Sequence, residues 1–82
     1  MTYNDYDQTK AFHQVCQDIV DNQALPSLNY AVNYAKAGLG MTACELCRVQ
    51  AMYIVSNITH WRGDMAKKDR VTLKDLIKYW KA

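Results

Sequence analysis

With 82 residues, half of them apolar, the chain has room for one domain spanning residues 1–82 and enough apolar content to fold. No apolar run approaches the roughly 18 residues a membrane span needs, and the start lacks the basic-then-apolar pattern of a secretory leader, so a cytoplasmic protein is expected. The net charge of +2 conceals an asymmetry: residues 1–33 carry Asp5, Asp7, Asp18 and Asp21 against Lys10 alone, whereas residues 59–82 carry seven bases against Asp64, Asp69 and Asp75.

Between Asp7 and Val20, the residues Phe12, Val15, Cys16, Ile19 and Val20 recur at helical spacing and predict a first amphipathic helix. Asp21-Asn22-Gln23 and Pro26 predict a connector. Leu28, Ala31, Val32, Ala35 and Leu39 mark a second helix that ends near Ala37, with Gly38 as its stop. Thr42-Ala43-Cys44-Glu45 reads as a capping box, and Met41 with Leu46 as a hydrophobic staple, so a third helix is expected over residues 43–60. Its apolar residues Leu46, Cys47, Val49, Ala51, Tyr53, Ile54, Val55 and Ile58 cover most of the circumference, which predicts a central, enclosed helix or one that meets a second copy. Gly63 predicts a break. Beyond it, residues 65–80 form either one helix with Met65, Leu73, Leu76, Ile77 and Trp80 inward, or two pieces divided near Val71-Thr72. No strand pattern or internal repeat is visible, so the expected fold is all-α, a compact three- to four-helix domain. A domain this short buries only about 60% of the surface its unfolded chain exposes, which favours a homo-oligomer.

The sequence lacks a glycine-rich phosphate loop, a nucleophile elbow and a paired-carboxylate motif, so catalysis is not expected. Three cysteines, an odd number, fit a reducing compartment better than a disulfide scaffold. Cys44-x-x-Cys47 at a helix start has redox spacing but lacks the βαβ surroundings of a thioredoxin-like domain. His13 and Cys16 repeat the spacing of Cys44 and Cys47 and together could form a structural zinc site; ordinary apolar packing is the preferred reading, and no metal or other cofactor is expected. The most suggestive cluster is Thr59-His60-Trp61-Arg62-Gly63, where an indole and a guanidinium at one helix end offer a stacking plane and a phosphate clamp. With Tyr30, Tyr34, Lys67 and Arg70, Trp61 and Arg62 complete a candidate nucleotide site; the competing reading is that Trp61 plugs the core.

The stretch Leu28-Asn29-Tyr30-Ala31-Val32-Asn33-Tyr34-Ala35-Lys36-Ala37-Gly38-Leu39, followed by Glu45-Leu46, Val49-Gln50, Tyr53-Ile54 and Trp61-Arg62-Gly63, resembles small uncharacterised proteins of bacteriophages and prophages. The resemblance covers roughly residues 28–77 and implies origin rather than activity. Phage accessory proteins of this size commonly counteract host antiviral defence in the host cytoplasm, an expectation by association. The leading expectation is sequestration of a nucleotide-type defence signal by an oligomer. The alternative is a protein-protein inhibitor of a defence effector, similar to an anti-CRISPR protein, in which Asp7, Asp18 and Asp21 imitate phosphate. A weaker alternative lays the basic last helix on nucleic acid.

Overall fold

The computed structural model describes residues 3–81 and is all-helical, in accord with the sequence expectation. Helix α1 runs over Tyr3–Asp21, α2 over Val32–Gly38, α3 over Cys44–Ser56 and α4 over Asp64–Lys81, with a 3-10 turn at Pro26–Leu28 between α1 and α2. The side chains of Asp5 and Lys81, parts of the charge asymmetry, lie outside the described ones.

The buried stripe of α1 is Phe12, Val15, Cys16 and Ile19, four of the five residues given by helical spacing, with Val20 partly buried beside them. Opposite it, α2 presents Ala31, at its N-cap, Ala35 and Gly38, all buried and all small. Small residues let two helices approach closely, and at Gly38 the approach leaves no room for a side chain. A Cβ there would lie 2.8 Å from Cys16 Sγ and 3.0 Å from Phe12 Cζ. Phe12 also meets Trp80 of α4 edge to face, with ring centroids 5.9 Å apart. Thus α1, α2 and α4 converge on one phenyl ring.

The third helix departs from expectation in two ways. Its N-cap is Ala43 and no side chain caps it, so the Thr42/Glu45 capping box does not form. It ends at Ser56 rather than His60. Of the two arrangements expected, enclosure within the chain is not the one found: Cys47, Ala51 and Ile54 are buried, while Leu46, Val49, Met52 and Tyr53 face solvent, as the alternative of a face open to a second copy would have it. Helices α1, α2 and α4 cover one side of α3 only. The apolar residues outside that side are therefore surface, although nothing in their chemistry distinguishes them from core.

Past α3, Ile58 and Trp61 turn inward, and Gly63 adopts φ +111°, which side chains rarely tolerate, immediately before α4. Helix α4 is continuous through Val71 and Thr72. Its inner face is Ala66, Leu73 and Leu76, with Ile77 and Trp80 partly buried; Met65, expected inside, is exposed. Among the described residues no helix is long and apolar enough to cross a membrane.

Replacing Gly38 with alanine tests the close approach of α1 and α2. Alanine favours a helix over glycine by about 1 kcal/mol, but its methyl must displace a short thiol and a ring. The Gly38→Ala protein is expected to unfold at lower denaturant, by about 1–3 kcal/mol, in urea titrations.

Candidate functional site

Two of the candidate nucleotide residues, Trp61 and Arg70, are engaged within the fold. Trp61 is 3% exposed and packs in the core beneath the α3–α4 connection, so its ring is not open to a base. The reading in which this indole plugs the core describes the structure. Arg70 lies on the first turns of α4 and its Nη1 donates to two carbonyls of the preceding connection, Ile58 at 3.1 Å and Trp61 at 2.6 Å. A guanidinium held this way satisfies backbone oxygens that lie beyond the end of α3 and have no intrahelical partner. Arg62 is exposed, and its Nη1 donates to the Thr59 carbonyl at 2.9 Å. Lys67 is exposed. Tyr30 stands out at 80% exposed, and Tyr34 stacks on Tyr53 with ring centroids 5.4 Å apart and planes 20° from parallel. Tyr34 is thus paired with α3 through Tyr53, while Tyr30 stands in solvent.

The histidine and cysteines have other work. His13 Nε2 donates to the Met41 carbonyl at 2.7 Å, and the Cys47 thiol donates to the same oxygen at 3.6 Å. Both groups secure the α2–α3 connection, with Cys16 packed behind it against Gly38. The repeated spacing in the sequence does bring His13, Cys16 and Cys47 to one region, but as a hydrogen-bonded and packed cluster. Among the described residues no group of three or more His, Cys, Asp or Glu is placed to hold a metal ion. Burial pushes the Cys16 thiol up to about 12, with the neighbouring Cys47 adding to the shift, and burial likewise raises Cys47. Neither thiol is a nucleophile near neutrality.

What the molecule does present is an aromatic and aliphatic face on α2 and α3. Leu46, Val49 and Tyr53 recur along α3 at helical spacing, at 58%, 38% and 50% exposed, with Met52 alongside. The Tyr34 and Tyr53 stack joins this row to α2. Buried Gln50 fixes the junction by donating from Nε2 to the Tyr34 carbonyl at 2.8 Å. Charge is sparse here: Glu45 and Arg48 on α3 and Lys36 on α2 lie among the same turns. The sequence carried this row in full but in the form of a core helix, and only the one-sided packing of α3 reveals it as surface.

Comparison with protein-family models, curated proteins and solved structures finds no match to this chain.

Two measurements check these assignments. Trp61→Ala should cost about 3–5 kcal/mol, as for a large core aromatic, and Arg70→Ala about 1–3 kcal/mol, both read from denaturant unfolding. A thiol reagent at pH 8 should modify Cys44, the partly exposed cysteine, in the folded protein, while Cys16 and Cys47 react only in denaturant.

Proposed function

We propose that the chain is a non-catalytic accessory protein that acts by covering a surface of another protein with its α2–α3 face. The observation that carries this reading is the group of exposed leucine, valine, methionine and tyrosine side chains Leu46, Val49, Met52 and Tyr53 on α3, joined to α2 by the Tyr34–Tyr53 stack. Single exposed apolar residues are ordinary, but a connected patch marks an interaction site. Its composition is that of an interface centre: tyrosine and methionine are enriched there and charge is depleted. Stacked tyrosines give large contact area with little loss of rotamer freedom on binding, because each already holds the other.

By association with the phage proteins that the sequence resembles, we take the partner to be a component of host antiviral defence in the host cytoplasm, inhibited in the manner of an anti-CRISPR protein. Nucleotide sequestration is the less favoured mechanism because Trp61 offers no open ring and Arg70 is engaged with backbone carbonyls. The acidic first helix is also a weaker phosphate mimic than its sequence suggests, since Asp18 is buried while Asp7 and Asp21 remain exposed.

Expression of the chain in defence-carrying cells, scored by phage plaquing, tests the reading. Leu46→Asp and Tyr53→Asp should abolish rescue while leaving the melting transition nearly unchanged, because both side chains are at least half exposed. Arg62→Ala and Lys67→Ala should retain rescue. The opposite pattern, with the lysine and arginine required and the apolar face dispensable, would overturn the proposal in favour of an anionic ligand. Light scattering on the same proteins assigns the face to a second copy if Leu46→Asp converts a dimer to a monomer without affecting rescue.

A further inference from the structure

Asp18 on α1 and Asp69 on α4 are carboxyl groups in the interior, 7% and 1% exposed. Each stands where an apolar residue would be expected, Asp18 one turn beyond Val15 and Asp69 between Ala66 and Leu73 on the buried face of α4. Gln14 Nε2 donates to Asp18 Oδ1 at 3.0 Å, and Asn22 Nδ2 donates to the Asp18 main-chain carbonyl at 2.8 Å. Oδ2 of both aspartates is buried with no hydrogen-bond partner. The Asp18 carboxyl stands beside that of Asp69, close enough to act on it through hydrogen bonding and charge. An ionised carboxylate only accepts hydrogen bonds, so a bond within the pair needs a proton on one of them. Such a proton is the donor that the two unpartnered oxygens lack.

We propose that Asp18 and Asp69 form a proton-dependent latch between α1 and α4, closed by one shared proton and loosened when both carboxyls are charged. The charged groups acting on Asp69 are Asp18, facing it from α1, and Lys68 beside it on α4. Arg70, the next residue on α4, is directed instead to the Ile58 and Trp61 carbonyls. Among the described residues no cation partners Oδ2 of either aspartate. Desolvation, then the hydrogen bond and charge of Asp18, push the Asp69 carboxyl from 3.8 up to about 7 against a smaller lowering by Lys68.

The sign of the linkage follows. Between the ordinary carboxyl range and about 7 the folded chain holds a proton that the unfolded chain has lost, so stability falls as pH rises through that window. One linked proton changes the unfolding constant by at most about tenfold per pH unit. Above the window, folded and unfolded chains are equally ionised and the dependence ends. The latch is thus closed in mildly acidic surroundings and changes state near neutrality.

The test uses the full chain in two independent measurements. Urea unfolding from pH 5 to pH 8 should show a falling midpoint for the wild type and a nearly flat one for Asp69→Asn, whose amide donates to Asp18 at every pH. The two proteins differ at this one side chain, so the difference between the profiles isolates the pair. Carbon-detected NMR of the wild-type carboxyls should place one aspartate titration near neutrality, with amide protection in α1 and α4 decreasing across the same pH range. A wild type in which every carboxyl titrates near 4, or an Asp69→Asn protein with an unchanged pH slope, overturns the proposal. If Asp69→Asn does not fold, Asp18→Asn and the wild-type titration decide it in the same terms.

Discussion

The Phe12 ring is the point on which the rest of the packing depends. It lies beneath Gly38 of α2 and against the edge of Trp80 of α4, so a single side chain of α1 fixes the distance to one helix and the position of another. A domain this small has few such residues, and burying a phenyl ring contributes about 1.5–3 kcal/mol. Close packing transmits any displacement of that ring, which is why the short helix α2 needs Ala31, Ala35 and Gly38 rather than larger residues along its contact with α1. Once α1 and α2 are set together, the Met41 carbonyl reaches both His13 and Cys47, and α3 begins from a fixed position.

Two long polar side chains are spent on the backbone of neighbouring segments. Arg70 holds the segment after α3 through the Ile58 and Trp61 carbonyls, and Gln50, in the middle of α3, ties that helix to α2 through the Tyr34 carbonyl. Backbone groups outside helices must find partners when they are drawn toward the interior, and Arg70 provides them after α3. This use engages Arg70, a residue chosen for phosphate chemistry, within the fold. An arginine near an indole is equally the composition of a clamp on a ligand and of a clamp on the protein's own turn. Only the direction of the guanidinium separates the two.

Fold class, the order of the helices and the buried stripes of α1 and α4 were legible because helical periodicity reports which residues share a face. Gly63 was legible because its position between two helical patterns required a residue tolerant of positive φ. The capping box was not borne out, since local matches to such a motif do not fix which residue takes the capping conformation, and Ala43 does so without a side-chain bond. The surface face of α3 was hidden for a different reason. Periodicity identifies a helix that is apolar nearly all round, but how much of its circumference neighbours cover depends on three helices packing from one side. Asp18 and Asp69 entered the sequence reading only as charge, Asp18 also as a phosphate mimic, although each sits in register with an apolar stripe, a signal present in the spacing and outweighed by residue type.

The two departures from a stability-only design point in opposite directions: tyrosine, leucine and methionine outside, carboxyl groups inside. Neither is needed to close the core, because the apolar cluster running from Phe12 to Leu76 is continuous without them. Exchanging the characters of these positions, polar on α3's outer face and apolar at Asp18 and Asp69, would remove both an exposed apolar patch and a desolvated carboxyl pair. Rules of local pattern that hold elsewhere in the chain fail at these places together, and such failures concentrate where a protein has a task besides folding. In the proposed function the outer face is the surface for a partner, while in the proposed latch the inner pair makes the contact between α1 and α4 conditional on a proton. Their chemistry keeps the two separable: removing charge from the interior leaves Leu46 and Tyr53 unchanged, and placing charge on α3 leaves Asp18 and Asp69 buried between their own helices.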